Sequence, residues 1–277
     1  GLQLKTTYRI IVAGLALISG GCGEDESNQT VGTVSSKSAP GLSDDERREG
    51  YKLLIGSASD EPAESQTASD QTSMAPDAGG DSSCPSSVEI ADPAVLDLAQ
   101  WQAEAPQEFT VVLDTTGGEI HIAVNRDWAP RGADRFYNLV SSGYLTEIAW
   151  FRVVPGFVAQ AGMHGNPQIH KTWSDARIQD DPVVESNTRG MVTFATSGPD
   201  SRSNQFFINF GDNKSLDGQG FAPFGRVVEG MDVVDAIESK YGQSPNQGQI
   251  QSAGAAYLCS KFPDLDRIVS ARVVEDE

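Results

Sequence analysis

Apolar and β-branched residues are concentrated in the second half of the chain, where they form short runs separated by turn residues. The runs are Phe109–Asp114, Glu119–Val124, Ile148–Val154, Phe157–Gly162, Met191–Thr196, Gln205–Phe210, Phe224–Val228 and Arg267–Val274. Short strands with turn signals between them are typical of an all-β sandwich or barrel. Eight strands close into a barrel whose interior is just filled by side chains. The pattern therefore predicts a mainly β domain over residues 105–277, built as a closed eight-stranded antiparallel barrel.

Two α-helices are predicted to cap this barrel. Pro130 suits the first position of a helix, and Phe136, Leu139 and Val140 follow it at helical spacing. The second helix is predicted over Met231–Ser239. Because side chains fill the interior of so small a barrel, we expect the functional residues on its outside.

Residues 23–104 have a different composition, rich in Ser, Gly, Asp, Glu, Thr and Gln and poor in large apolar side chains. Such a segment buries too little apolar surface to offset the entropy lost on ordering, so it is predicted to be a disordered tether. Residues 23–108 carry −14 of the formal net charge of −19. An acidic, solvated segment repels nucleic acid, and no nucleic-acid partner is predicted.

The first 22 residues resemble an export signal. Lys5 and Arg9 precede the apolar run Ile10–Ile18, which small residues follow. The run is too short to span a bilayer, which requires about 20 residues. Residues 1–22 are therefore predicted to be a signal peptide.

Cys22 follows Ser19-Gly-Gly, an arrangement that resembles a bacterial lipobox, in which the cysteine thiol is lipidated. The resemblance implies a membrane anchor at Cys22 and a place in the bacterial cell envelope, facing the periplasm or on the outer membrane. Ser19 stands where a lipobox usually has Leu. Ordinary signal-peptidase cleavage, which Ser19 and Gly21 also suit, remains the alternative.

The remaining cysteines and the histidines indicate no metal site. Cys84 and Cys259 could pair in an oxidising compartment, and the sequence leaves both the paired and the free state open. His121, His164 and His170 have no metal-ligand spacing. No metal and no cofactor are predicted.

Two segments combine aromatic and polar residues in a way that barrel construction alone does not require. In Trp150–Gly162, Arg152 precedes a Pro-Gly turn, and Phe157 and Gln160 follow it. Alternate residues of a strand share a face, so the turn brings an arginine beside an aromatic wall and an amide. In Phe194–Ile208, a loop of Gly, Pro and Ser leads into a new strand.

The joint pattern resembles the cyclophilin family of peptidyl-prolyl cis-trans isomerases from about Phe109 to Arg272. It consists of WFRVVPGFVAQAG at 150–162, FATSGPDSRSNQFFIN at 194–209 and LDGQGFAPFGRVVEGMDVVD at 216–235. The resemblance implies a monomeric enzyme that acts on X–Pro bonds of proline-containing polypeptides, here exported proteins whose folding it assists. The matching positions imply catalytic roles for Arg152, Phe157, Gln160 and Phe207, and substrate-binding roles for Val158, Ala195, Thr196, Gln205 and Leu216.

Three departures from the family pattern bear on the pocket. Ser215 stands where many cyclophilins have a Trp that binds cyclosporin, either Gly220 or Phe221 replaces a pocket His, and Phe151 replaces a non-catalytic His. The alternative function is a cyclophilin-fold module that binds proline-containing segments with little turnover. The segment from Asn246 to Asp266 resembles an extension found in a bacterial subset of the family, and no chemical role is predicted for it.

Overall fold

This computed structural model describes residues 84–85, 87–89 and 91–274. These residues form one strongly curled antiparallel sheet of nine strands, with helices packed on it. The strands are β1 (Glu108–Thr115), β2 (Gly118–Asn125), β3 (Ile148–Ala149), β4 (Arg152–Val154), β5 (Val158–Ala161), β6 (Met191–Phe194), β7 (Phe206–Asn209), β8 (Pro223–Glu229) and β9 (Arg267–Val274). Their order is β3-β9-β1-β2-β8-β6-β7-β5-β4. The prediction of a mainly β, antiparallel fold is confirmed.

The predicted number of strands is wrong, because the run Ile148–Val154 forms two strands rather than one. Strand β3 ends at Ala149, Trp150 makes one more bond on the β9 side from its backbone N–H to the Asp266 carbonyl over 2.9 Å, and β4 begins at Arg152. The resulting strands β3 and β4 stand at the two ends of the sheet order. Among the described residues, the strand pairings therefore do not show the closed barrel that the sequence predicted.

In the described part of the chain, four α-helices accompany the sheet: α1 (Pro130–Ser141), α2 (Pro167–Asp175), α3 (Met231–Ala236) and α4 (Gln247–Lys261). Helices α1 and α3 correspond to the two predicted caps, although α3 ends before Ser239. The sequence missed α2, a short helix whose first two free N–H groups are capped by the Asn166 side chain. It also missed α4, which is kinked at Gly254 and so presents no continuous apolar face.

Gly254 has a left-handed backbone (φ 56°) that a side chain would strain. A Cβ at this position would overlap the carbonyl oxygen of Gly165, which accepts a hydrogen bond from Ala255 N–H over 2.8 Å. The kink thus allows α4 to lie directly against the loop that follows β5.

Two apolar clusters hold these elements together. In the larger cluster, the ring of Phe136 on α1 contacts Phe206 and Phe224, with centroid distances of 5.4 and 4.9 Å. The smaller cluster joins α4 to the region of β3–β5 and consists of Ala149, Phe151, Met163, Ile250, Leu258 and Leu265, with Tyr241, Tyr257 and Phe262 packed on it. The Phe151 side chain, which departs from the family pattern, is therefore buried against α4.

The ordered domain extends into the segment that the sequence assigned to a tether. Residues Pro93–Leu96 form a 3-10 helix, and Val95 is buried in the larger cluster. The Trp173 indole N–H donates to the Val95 carbonyl over 2.8 Å, and the Asn138 side chain bonds both backbone groups of Ala103. The sequence predicted disorder up to residue 104, whereas the structure holds Val95 and Ala103 against the domain. A few apolar anchors suffice to fix the last part of the segment.

Cys84 and Cys259 form a disulfide between this N-terminal segment and α4, with a Cα–Cα distance of 5.6 Å. This result settles the alternative that the sequence left open. The predicted signal peptide (1–22), Cys22 and most of the tether lie outside the described residues. Within the described ranges, no helix has both the length and the apolar character needed to cross a bilayer.

The segment that connects α3 to β9 also runs along the outer strands of the sheet. Val153, in β4, donates its backbone N–H to the carbonyl of Gly242 over 3.0 Å. At the other end of the sheet order, Asp266 accepts from Trp150, next to β3. The segment therefore contacts the outer edge of β4, whereas its bond with Trp150 continues the pairing of β3 with β9.

Candidate active site

Strand register places the predicted catalytic side chains in one row. Arg152 is the pairing partner of Gln160 between β4 and β5, and Gln160 is the partner of Phe207 between β5 and β7. Directly opposed residues project on the same face of a sheet. Their chain neighbours Val153, Ala159 and Ile208, by contrast, belong to the larger apolar cluster. The row therefore lies on the face of the sheet turned away from the main core, as predicted.

An apolar pocket surrounds Phe207. It is formed by the buried residues Val158, Ala195, Phe207, Leu216 and Phe221, with the half-buried Phe157 packed against them. Leu216 comes from the 3-10 helix Lys214–Gln219, which follows β7. The pocket has aromatic and aliphatic walls, a chemistry that suits a small apolar ring such as pyrrolidine.

The structure decides which residue takes the place of the pocket histidine. Gly220 ends the 3-10 helix Lys214–Gln219 in a left-handed conformation (φ 87°). Phe221 is buried, and its ring contacts Phe207 edge-on with a centroid distance of 6.0 Å. Phe221 therefore takes the place of the pocket histidine. Ser215, in the 3-10 helix Lys214–Gln219, is exposed.

A polar edge borders this pocket. The Arg152 Nη1 atom donates to Gln160 Oε1 over 3.1 Å, and Gln160 Nε2 donates to Gln205 Oε1 over 2.9 Å. The Arg152 guanidinium also lies 5.8 Å from the Phe157 ring centroid. Burial lowers the pKa of Arg152 to about 10, so the side chain remains a cation at neutral pH.

A groove of about 710 Å³ continues from the pocket along the end of β6. Ala195, Thr196 and Gln205 line it, and Ala195 N–H donates to the Gln205 carbonyl over 2.9 Å. The Thr196 hydroxyl is turned toward its own loop, where it donates to the Gly198 carbonyl over 2.6 Å. The structure thus brings all nine predicted site residues to one surface, with the Thr196 side chain engaged in the loop.

Sequence reasoning missed two residues that contact the polar edge. Arg152 Nε donates to Gln243 Oε1 over 2.9 Å, and Gln205 Nε2 donates to Gln247 Oε1 over 3.3 Å. Both glutamines lie between α3 and β9, and Gln247 belongs to the segment from Asn246 to Asp266, for which no chemical role was predicted. Glutamines in a turn and at a helix start carry no local signal, because only tertiary packing brings them to the site.

The buried histidines lie beside the groove. Burial lowers the pKa of His164 and of His170 to about 4, so both rings are neutral at neutral pH. His164 Nδ1 accepts from the Asn166 backbone N–H over 2.9 Å, and the Asn204 amide is 3.2 Å from His170 Nδ1. These contacts stabilise the loops on either side of the groove.

The chain is similar to several known proteins. The chain is similar to a crystal structure of a Cryptosporidium parvum cyclophilin type peptidyl-prolyl cis-trans isomerase, with 18% identity and a TM-score of 0.46 over 61% of this chain and 99% of that chain. Peptidyl-prolyl cis-trans isomerase A of Dickeya dadantii (strain 3937) is 37% identical over 147 residues, which are 51% of this chain and 76% of that protein. The probable peptidyl-prolyl cis-trans isomerase of Brucella abortus (strain 2308) is 34% identical over 168 residues, 57% and 84% of the two chains. Residues 110–255 match the model of the cyclophilin type peptidyl-prolyl cis-trans isomerase/CLD family. The chain therefore belongs to the family of cyclophilin-type peptidyl-prolyl cis-trans isomerases.

Proposed function

We propose that this chain catalyses the cis–trans isomerisation of X–Pro bonds in exported proteins and thereby assists their folding. The observation that carries the proposal is the buried Arg152 cation, held by Gln160 at the edge of an apolar pocket around Phe207. The proposed substrates are proline-containing polypeptides, the proposed state is a monomer, and the reaction involves no cofactor.

The chemical task is rotation about an amide bond. Resonance gives the C–N bond partial double-bond character, with a barrier of roughly 18–20 kcal/mol, and X–Pro bonds exchange over tens to hundreds of seconds. No covalent bond forms or breaks. A catalyst accelerates the rotation only if it binds the twisted amide more strongly than either planar form.

The residues of the site suit this task. The pocket formed by Phe157, Phe207 and Leu216 holds the pyrrolidine ring, while the rest of the peptide rotates. As the amide twists, the nitrogen lone pair becomes localised, and the Arg152 guanidinium donates a hydrogen bond to it. Because Arg152 is fixed and largely desolvated before substrate binds, this interaction strengthens in the transition state with little reorganisation.

Substrate alignment is assigned to the groove beside the pocket. Gln205 is oriented by Gln160, and the backbone of Ala195 and Thr196 lies at the end of β6 next to the groove. We propose that these groups bind the residues that precede proline. Such contacts hold the chain on one side of the bond while the pocket holds the ring on the other.

We expect the full chain to accelerate the cis-to-trans relaxation of an X–Pro peptide at least tenfold over the uncatalysed rate, because each 1.4 kcal/mol of transition-state stabilisation gives a factor of ten. Relaxation after a solvent jump measures the rate, and NMR line broadening of the same peptide measures binding. Binding without faster exchange would instead support the alternative of a proline-peptide binding module with little turnover.

We also propose that the protein is an envelope lipoprotein that faces the periplasm or is held in the outer membrane by Cys22. The sequence of residues 1–22 supports the proposal. The Cys84–Cys259 bond supports the location in the envelope but not the anchor itself, because disulfides persist in oxidising compartments. Gly23 follows Cys22. In some bacteria an Asp at this position marks retention in the inner membrane, so its absence favours the outer membrane.

Lipidation of Cys22 can be tested directly. In a bacterial host, the wild-type chain should fractionate with membranes, since two or more acyl chains give stable anchoring where one chain does not. The Cys22→Ala variant should lack the lipid. Mass spectrometry of the mature N-terminus gives the readout, and an unmodified Cys22 or cleavage at another position would contradict the proposal in favour of ordinary signal-peptidase processing.

A further inference from the structure

The polar edge of the site is part of a longer chain of hydrogen bonds that begins and ends outside the family motifs. It runs from Gln243 through Arg152, Gln160 and Gln205 to Gln247, with donor–acceptor distances of 2.9, 3.1, 2.9 and 3.3 Å. Both ends lie between α3 and β9, on the turn before α4 and at the first position of α4. The segment thus contacts the predicted catalytic arginine and a predicted substrate-binding glutamine.

Building on the proposed function, we infer that Gln243 and Gln247 are positioning residues, Gln243 for Arg152 and Gln247 for Gln205. The inference goes beyond the family motifs, since these two residues lie outside every motif that carries the resemblance.

The direction of the hydrogen bonds is determined by arginine. A guanidinium carries only donors, so Gln243 and Gln160 must both present their Oε1 atoms to Arg152. Gln160 then has its Nε2 left to donate to Gln205, and Gln205 in turn donates to Gln247. One cation therefore orients the amides of three successive glutamines.

Gln243 and Gln160 contact different nitrogens of the same guanidinium. Gln243 accepts from Nε, next to the aliphatic stem, and Gln160 accepts from Nη1. Two acceptors on one planar group restrict its rotation about the stem, and burial to 4% exposure restricts it further. Catalysis by a fixed donor requires this kind of restriction, because geometric errors of about 1 Å can cost large factors in rate.

The segment that carries the two glutamines is itself anchored on the domain. Phe151, the chain neighbour of Arg152, is buried in the smaller apolar cluster with Ile250 and Leu258 of α4. The Gly242 carbonyl, next to Gln243, accepts from Val153 N–H over 3.0 Å. Gln243 and Arg152 are thus each flanked by a residue that ties the segment to β4.

The two positioning roles predict different kinetic effects. Gln243→Leu should lower kcat about tenfold with little change in KM, the effect of one hydrogen bond to a charged group that water partly replaces. Gln247→Leu should raise KM several-fold and leave kcat nearly unchanged, because Gln205 contacts the substrate outside the reacting bond. Gln243→Glu keeps an acceptor for Nε and should restore most of the lost kcat. Gln249→Leu, an exposed glutamine on the same helix, is the matched control and should match the wild type.

A spectroscopic readout separates positioning from general stability. In ¹⁵N-labelled protein, the Arg152 Nε–H signal, assigned by its loss in Arg152→Lys, should exchange slowly with water. Gln243→Leu should accelerate that exchange, whereas Gln243→Glu and Gln249→Leu should not. Thermal unfolding of each variant verifies that the fold is intact, and Gln243→Ala serves as a second substitution of the same acceptor.

The outcomes distinguish this inference from the proposed function. If Arg152→Ala loses activity while Gln243→Leu keeps both wild-type kcat and slow Nε–H exchange, the positioning role of Gln243 is wrong. The catalytic role proposed for Arg152 then still holds. If Arg152→Ala is as active as the wild type in the same assay, the role of the arginine in the proposed function fails first. Equal effects of Gln243→Leu and Gln249→Leu on kcat would also overturn the inference.

Discussion

Replacing Arg152 by alanine is expected to lower kcat/KM for X–Pro isomerisation on the order of 100-fold, the range found when one preorganised donor is removed from an active site. The pocket around Phe207 does not include Arg152, so peptide binding should persist. Arg152→Lys should also be strongly impaired. A lysine keeps the charge but cannot reproduce the planar set of donors that reaches Gln243 and Gln160 together.

The matched control for this substitution is Arg226→Ala. Arg226 lies in β8 and is exposed, so its loss should leave kcat/KM within about twofold, as is usual for surface substitutions. Equal activities of wild type and Arg152→Ala, in variants with the same melting temperature, would show that the guanidinium takes no part in the rotation.

The same assay has an expected pH dependence. Burial lowers the pKa of Arg152 to about 10, and the charged form is the one that donates to the twisted amide. The rate should therefore be flat between pH 6 and 8 and should decline as the pH approaches 10, where the guanidinium begins to lose its proton. A steep change of the rate between pH 6 and 8 would instead indicate that another titrating group takes part in the mechanism.

Reduction of the Cys84–Cys259 disulfide is expected to lower Tm by roughly 10 °C. The bond joins residues 175 positions apart. Closing so long a loop stabilises the folded state by about 3–5 kcal/mol, mainly by restricting the unfolded chain. For a domain of this size, each kcal/mol corresponds to about 2–4 °C. Differential scanning calorimetry with and without a reductant measures the shift.

Two variants make the disulfide experiment specific. Cys84→Ser and Cys259→Ser should each unfold at the temperature of the reduced wild type, and neither should respond to the reductant. Identical Tm values for oxidised and reduced wild type would mean that the bond contributes nothing to stability. Because Cys259 lies in α4, a loss of kcat in these variants would further link the helix to the site.

The sequence predicted most strands of the fold, because runs of apolar and β-branched residues are separated by turn residues from Phe109 onward. It did not predict the break between β3 and β4, since Trp150 and Phe151 are themselves typical strand residues. Helix α4 was not predicted, because the kink at Gly254 interrupts the helical spacing of its apolar residues. The ordered part of the tether was missed for another reason: the average composition of the 82 residues from 23 to 104 is polar and hides apolar anchors such as Val95.

The nine site residues came from motifs that are local in the sequence, and the structure brings them to one surface. Their individual roles remain predictions. Gln243 and Gln247 could not be found in this way, because their contacts with Arg152 and Gln205 span 91 and 42 positions of the chain. Contacts of this kind depend on how α4 packs on the sheet, which no short motif encodes.

The open order of the sheet leaves two outer strands, and unpaired strands are templates for association with other chains. Val153 is the residue of β4 whose N–H points away from β5, and the Gly242 carbonyl accepts a hydrogen bond from it. The turn at Gly242 thus covers part of the outer edge of β4, where another strand would otherwise pair. Because β4 also carries Arg152, this cover keeps a second chain from pairing with the strand that holds the arginine.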